Sequence, residues 1–269
     1  MAGNGNIDFF CLECYTDKSE VNTLQTEVIK IDRENMDLDA LKRAGEILKS
    51  GGLVAFPTET VYGLGGDGLH EESSRKIYEA KGRPSDNPLI VHVADMEHLE
   101  KIVKKVPKAA YKLAEAFWPG PMTMILEKND LVPYGTTGGL DTVAIRMPSD
   151  PIALELIRQG GGYIAAPSAN TSGRPSPTTA QHVYEDLQGK IPMILDGGAV
   201  TIGLESTIVD LTEEIPTILR PGFISLDMVQ AVLGEAQIDR GLIANDSNIH
   251  PKAPGMKYRH YAPKADLKI

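Results

Sequence analysis

Apolar positions along the chain fall into two kinds of pattern. Short, nearly continuous runs recur: LVAF (53–56), PLIVHV (88–93), MTMIL (122–126), TVAIRM (142–147), YIAA (163–166), PMIL (192–195), STIVDL (206–211) and PTILR (216–220). TEVIKID (26–32) precedes them. Runs of this length, bounded by Gly, Pro or Asp, predict strands. Other segments keep helical spacing. Leu38, Leu41, Ala44, Ile47 and Leu48 form one stripe behind the cap Asp37, and Gly51 and Gly52 end it. Pro107 opens a second helix, with Ala110, Leu113, Ala114 and Phe117 on one face, stopped by Trp118-Pro119-Gly120. Pro151 opens a third that ends at Gly160 to Gly162. Thr178 or Thr179 caps a fourth ending near Gly189, and Ser225 caps a short fifth before Gly234. Several strands follow one another without a helix between them. That predicts an α/β (α+β-like) domain, a twisted mixed parallel and antiparallel sheet with helices packed on it, rather than strict βαβ alternation.

The pattern also divides the chain. Residues 1–24 read as an appended arm, 25–240 as the folded domain, and 241–269 as a linker or tail, polar and broken by Pro251, Pro254 and Pro263. The arm carries Cys11 and Cys14, the only cysteines. A structural zinc needs four ligands and a redox pair wants a strand before it and a helix after it, so two reduced thiols are the expectation.

Composition narrows the chemistry. The 269 residues are 42% hydrophobic and 24% charged, ordinary for a globular chain. Asp and Glu number 37 against 27 Lys and Arg, a formal net charge of -10. A global basic field for nucleic acid is excluded, and any anion site must be a local cluster. No apolar run approaches the ~20 residues of a membrane span. MAGNGNIDFF lacks the basic start and apolar stretch of a secretory signal, so a cytoplasmic protein is expected.

The stretch FPTETVYGLGGDG contains a literal G-x-G-x-x-G at Gly63, Gly65 and Gly68. In a dinucleotide site the strand runs straight into the first glycine and a helix opens on the pyrophosphate. Here residues 57–62 intervene, and LHEESSRKIYEAK lacks the small apolar first turns such a helix needs. What remains is Thr58, Glu59, Thr60 and Tyr62 at the end of a strand, on a turn that the glycines are expected to shape. KGRPSDNPLIVHV places Lys81 and Arg83 at a helix C-terminus, suited to the dipole or to carboxylate and phosphate oxygens. His92 sits in an apolar strand, the usual setting of a satisfied core histidine. APSANTSGRPSPTTA gathers Ser168, Asn170, Ser172, Ser176 and Thr178 on a loop with no nucleophile elbow. Arg146 and Arg220 lie in apolar strands, where a cation needs a partner or an anion. Glu205 is one candidate partner.

FPTETVYGLG, KGRPSDNPLIVHV, FWPGPMT, VAIRMP, APSANTSGRPSPT, ESTIVD and LRPG follow in this order from about residue 45 to 225. The set resembles the YrdC-like family of threonylcarbamoyl-adenylate synthases. The resemblance implies a single YrdC-like domain with a concave basic cavity. It implies synthesis of threonylcarbamoyl-adenylate from L-threonine, bicarbonate or carbon dioxide and ATP, with release of pyrophosphate. Partner proteins then transfer the group to tRNA, and the cavity itself could make weak RNA contacts. Lys81, Arg83, Ser168 and Asn170 match the K-x-R and S-x-N signature and would serve the triphosphate and carbamate. Thr60, with Thr58, His92, Arg146 and Ser206, would hold threonine. Asn87, Thr142, Ser176 and Arg220 would hold the nucleotide, with Tyr258 and His260 folding back over it. Magnesium would come with the phosphates, since no carboxylate cage is evident. PGMKYRHYAPKA (254–265) looks like the interdomain linker of two-domain members, and the expectation is that the C-terminal domain itself is lacking. The arm with its C-x-x-C has no counterpart in the resemblance.

Overall fold

The computed structural model describes residues 24–239. Strand β1 (Glu27–Lys30) leads into helix α1 (Leu38–Lys49), whose first turn is closed by the Asp37 carboxylate accepting from the Ala40 amide at 3.0 Å. β2 (Val54–Phe56) turns back antiparallel as β3 (Gly63–Asp67), and α2 (Glu71–Lys81) follows. Then come β4 (Ile90–His92), α3 (Met96–Ile102), α4 (Lys108–Phe117), β5 (Met122–Glu127), the short α5 (Tyr134–Thr137) and β6 (Thr142–Arg146). The described chain finishes with α6 (Pro151–Gln159), β7 (Ile164–Ala165), α7 (Ala180–Leu187), β8 (Met193–Asp196), β9 (Thr207–Asp210), β10 (Thr217–Arg220), α8 (Leu226–Leu233) and β11 (Gln237–Ile238). Thr179 and Ser225 cap α7 and α8 as the sequence leads one to expect.

The strands form one mixed sheet in the order β1-β8-β2-β3-β7-β4-β6-β5-β9-β10-β11. β4 and β6 run parallel, while β5 and β6 run antiparallel. β3 is a departure from the sequence reading, which made its glycines a turn. It is a strand because it pairs antiparallel with β2 and β7, and it is built of glycine because neighbouring side chains fill the space where side chains would stand. A Cβ on Gly65 would come 2.8 Å from Ile164 Cγ2 and 3.0 Å from the Phe56 ring. One on Gly66 would meet Ile77 and Leu53 at 3.1 Å. Glycines locked in a strand also dispose of the dinucleotide fingerprint, since they do not lie at the mouth of a helix.

The two halves of the sheet are buried differently. Around β1, β2 and β8, helices α1 and α6 cover one face through Leu41, Leu48, Leu156 and Ile157. The other face packs α7 through Val183 and Leu187. Across β4, β6, β5 and β9 only one face carries a thick core, where Val91, Ile145, Met124 and Val209 meet Leu99, Leu113 and Val229 of α3, α4 and α8. Successive strand residues point to opposite faces, so Ile90, His92, Thr142, Ala144 and Arg146 point the other way. That second face carries only a thin apolar patch, Ile90, Ile125, Ala144, Ile208 and Leu219. Beside this patch lies the cavity.

Candidate active site

One register row across the sheet sets the floor of the site. His92 stands opposite Arg146, Arg146 opposite Thr123, Thr123 opposite Ile208, and Ile208 opposite Arg220. Above this row opens a cavity of about 300 Å³. Among the residues named from sequence, Thr58, Thr60, Lys81, Arg83, His92 and Arg146 line it, as do Ser168, Asn170, Ser176, Ser206 and Arg220.

At one end Arg146, only 4% exposed, donates from Nη2 to Glu59 Oε1 at 2.7 Å and weakly from Nε to the Gly120 carbonyl at 3.4 Å. Nη1 has no partner among the described residues. The second Glu59 oxygen accepts from the Ser149 amide at 3.1 Å. The sequence offers Glu205 as a partner for one of the two strand arginines, and its charge does act on Arg220. The buried partner of Arg146 is instead Glu59, which lies 87 positions away and whose only sequence signal is its place in the PTETVYG turn. His92 is buried beside this pair, with Nδ1 3.1 Å from the Ile90 carbonyl. Burial first, then the Arg146 charge, push its pKa down to about 3, so the ring is neutral. The nitrogen facing the carbonyl must carry the proton, and Nε2 is left as an acceptor.

The two threonines divide their labour. Thr58 Oγ1 donates to the Val61 carbonyl at 2.7 Å and accepts long bonds from the amides of Thr60 and Val61, both 3.2 Å. Its single proton is therefore used by the turn. Thr60 Oγ1, 2.9 Å from Thr58 Oγ1, must be the donor between them, which leaves its own lone pairs as acceptors. The backbone of this turn is held by the loop after β8, where Ile202 and Gly203 amides donate to the carbonyls of Glu59 and Thr60.

At the other end Lys81 closes α2, and Gly82 takes the left-handed conformation (φ 61°) that turns the chain away. Lys81 Nζ donates to the carbonyls of Ser168, at 2.5 Å, and of Asn170. Ser168 Oγ in turn donates to Asn170 Oδ1 at 2.5 Å. Burial, reinforced by the neighbouring Arg83 charge, holds the Lys81 pKa well below that of an ordinary lysine. Arg83 donates to the carbonyls of Pro88 and Asn87, at 3.1 and 3.3 Å. Asn87 is buried behind it, its side-chain Oδ1 without a hydrogen-bond partner among the described residues. Thr142 starts β6 on the same face as Arg146, about 13 Å along the strand at ~3.3 Å per residue. Neither Asn87 nor Thr142 lines the cavity.

Ser176 Oγ donates to Glu205 Oε1 at 2.5 Å, so Glu205 orders a hydroxyl of the loop. Arg220 donates to the carbonyl and hydroxyl of Ser206, both at 3.0 Å, and Thr123 meets the same hydroxyl at 2.7 Å. Burial lowers the Arg220 pKa to about 10, against the pull of Glu205. Tyr258, His260, Cys11 and Cys14 lie outside the described residues.

Fold and site together define an α/β domain whose cavity sets buried cations against a hydroxyl-rich loop. A family model described as "Telomere recombination", that of Sua5, YciO and YrdC, matches residues 46–222. The chain belongs to this family. A threonylcarbamoyl-AMP synthase from Pyrococcus abyssi is 53% identical over 88% of this chain and 69% of its own length. One from Bacillus subtilis is 53% identical over 85% of this chain and 66% of its own length. A crystal structure of P. abyssi Sua5 complexed with L-threonine superposes with a TM-score of 0.86 at 52% identity, covering 89% of this chain and 70% of that one. One expectation is overturned. A second model, described as "Threonylcarbamoyl-AMP synthase, C-terminal domain", matches residues 224–269, so the chain carries sequence of the domain it was expected to lack. The first part of that match, α8 and β11, belongs to the described fold: Val229 enters the large core and β11 pairs with β10.

Proposed function

We propose that this cavity joins L-threonine, bicarbonate or carbon dioxide, and ATP into threonylcarbamoyl-adenylate, releasing pyrophosphate. The observation that carries the reading is convergence. Four cations from three separate segments, Lys81 with Arg83, Arg146, and Arg220, meet at one cavity of about 300 Å³ whose other polar walls are hydroxyls, amides, the His92 ring and the Glu205 carboxylate. The names borne by the P. abyssi and B. subtilis relatives support it.

The chemistry asks for little beyond such a site. Threonine's amine attacks carbon dioxide to give a carbamate; a carbamate oxygen attacks the α-phosphate and pyrophosphate leaves. No protein nucleophile is required, so catalysis is positioning plus stabilisation of charge on phosphate and carbamate. Arg146 holds the threonine carboxylate through its unpartnered Nη1. His92 Nε2 and the Thr60 lone pairs are acceptors for the ligand's N–H or O–H groups, Thr58 supports Thr60, and Ser206 closes this end. Lys81, Arg83, Ser168 and Asn170 meet the triphosphate and carbamate. Ser176 and Arg220 hold the nucleotide, whose far end extends toward Asn87 and Thr142. Magnesium enters as part of the ATP substrate, held by phosphate oxygens and water; among the described residues no cluster of three or more metal-ligating side chains exists. The product passes to the proteins that modify tRNA in the cytoplasm, with at most weak RNA contact at the cavity itself. No helix among the described residues is long and apolar enough to cross a membrane.

The test is pyrophosphate release from ATP in the presence of labelled bicarbonate, with and without L-threonine. Release that depends on threonine, with label entering an adenylate, is expected. Release unchanged by omitting threonine overturns the reading.

A further inference from the structure

Two buried cations on the same cavity are compensated in opposite ways. Lys81, 2% exposed, is held by the carbonyls of Ser168 and Asn170 and, at 3.4 Å, by Asn170 Oδ1, all uncharged oxygens. Arg146, 4% exposed, faces a full carboxylate at 2.7 Å, and Glu59 is itself only 8% exposed. Glu59 does not line the cavity, so it touches no ligand itself and acts by its pairing with Arg146 and by its charge. Arg146 nevertheless lines the cavity, and its Nη1 has no partner among the described residues, a group that seeks an acceptor.

An uncompensated buried cation attracts any anion, a polyphosphate most strongly. A cation already matched by a carboxylate does not, because a second anion must come close to Glu59. A zwitterion carries its own ammonium and escapes that repulsion. We propose that Glu59 sorts the two reactants by charge: neutralising Arg146 makes one end of the cavity accept the zwitterionic amino acid and refuse phosphate, leaving the Lys81 end to the nucleotide. Glu59 is thus a positioning and specificity residue. The identity of the zwitterion rests on the proposed function; the exclusion of phosphate does not.

The probe is inorganic phosphate, titrated calorimetrically into the full chain without nucleotide. In the wild type, phosphate is expected to be displaced by ATP and not by threonine. In Glu59→Gln a second phosphate should bind, about 10-fold or more tighter than at that end of the wild type, because the buried arginine has lost its counter-ion. Threonine should displace this second phosphate, and in turnover phosphate should become competitive against threonine as well as ATP. Glu59→Asp keeps the charge and should keep the wild-type pattern, which a merely structural role for Glu59 does not predict. A Gln variant with no added phosphate site overturns the proposal. So does phosphate that already competes with threonine in the wild type, a measurement that decides even if the Gln variant fails to fold. If threonine does not bind the wild type at all, the proposed function fails, while the count of phosphate sites still tests Glu59.

Discussion

The two ends of the cavity are built from the same materials and do opposite things. At the Arg146 end a strand holds a guanidinium against a carboxylate, beside a histidine kept neutral at a pKa of about 3. At the Lys81 end a helix terminus holds an ammonium against main-chain carbonyls, its pKa depressed by burial first and then by a second cation, Arg83. The first end is balanced in charge and rich in acceptors. The second is short of negative charge and gains from any phosphate that arrives. The lesson is that a cavity's preference is set less by how many cations line it than by what each already touches.

Lys81→Met should break the comparison most. Removing the ammonium from the phosphate end should lower kcat/KM for ATP by about 10²–10³-fold, the cost of one preorganised electrostatic donor. Threonine affinity, read by calorimetry, should stay within about threefold, and Arg83→Ala should fall in the same direction. Arg146→Met should do the converse. Loss of a charged hydrogen bond to the carboxylate should raise the KM for threonine about 10- to 100-fold while the KM for ATP stays nearly constant. If both constants rise together in both variants, the two ends are not separate subsites.

Protonation sharpens the contrast. Lys81 starts with a depressed pKa that a bound phosphate must raise again, so in the pH range between the free and bound values ATP binding should take up protons. Calorimetry in buffers of different ionisation enthalpy should detect the uptake, and Lys81→Met should abolish it. The threonine end should show no such uptake at His92. Its folded pKa lies near 3 against an ordinary 6.5, so below pH 6.5 the unfolded chain takes a proton that the folded protein refuses. Stability should therefore fall as pH drops from 6.5 toward 3, by at most about 1.4 kcal/mol per pH unit from this group, and His92→Gln should flatten that slope. Gly65→Ala should have the smallest effect on the comparison. The new methyl meets Ile164 Cγ2 at 2.8 Å, so about 1–3 kcal/mol of stability should be lost by thermal unfolding, with the ratio of the two KM values unchanged.

Most of the scaffold was legible because its signals are local. Each apolar run named from sequence became a strand, and Asp37, Thr179 and Ser225 cap helices through their own side chains. Two strands and two short helices were not legible. β11 is two residues long, β3 is three glycines in five residues, and α3 and α5 are brief, so none carries an amphipathic period long enough to read. In the site, the residue types that could meet an anion were visible, and so was their order. Glu59 was visible too, but as one polar residue of a turn.

The sequence by itself therefore determined the elements, the cations and the hydroxyl-rich loop, since periodicity, caps and residue chemistry act within a few positions of the chain. Tertiary structure alone decided which charges cancel. Glu59 reaches Arg146, and Lys81 reaches Ser168, across 87 positions in each case, and both contacts exist only once the sheet has closed. The glycine run likewise became a strand only by pairing with β2 and β7, with Phe56 and Ile164 packed where its side chains would have been. Charge compensation and packing are properties of neighbours in space, and on those the function proposed for the cavity depends.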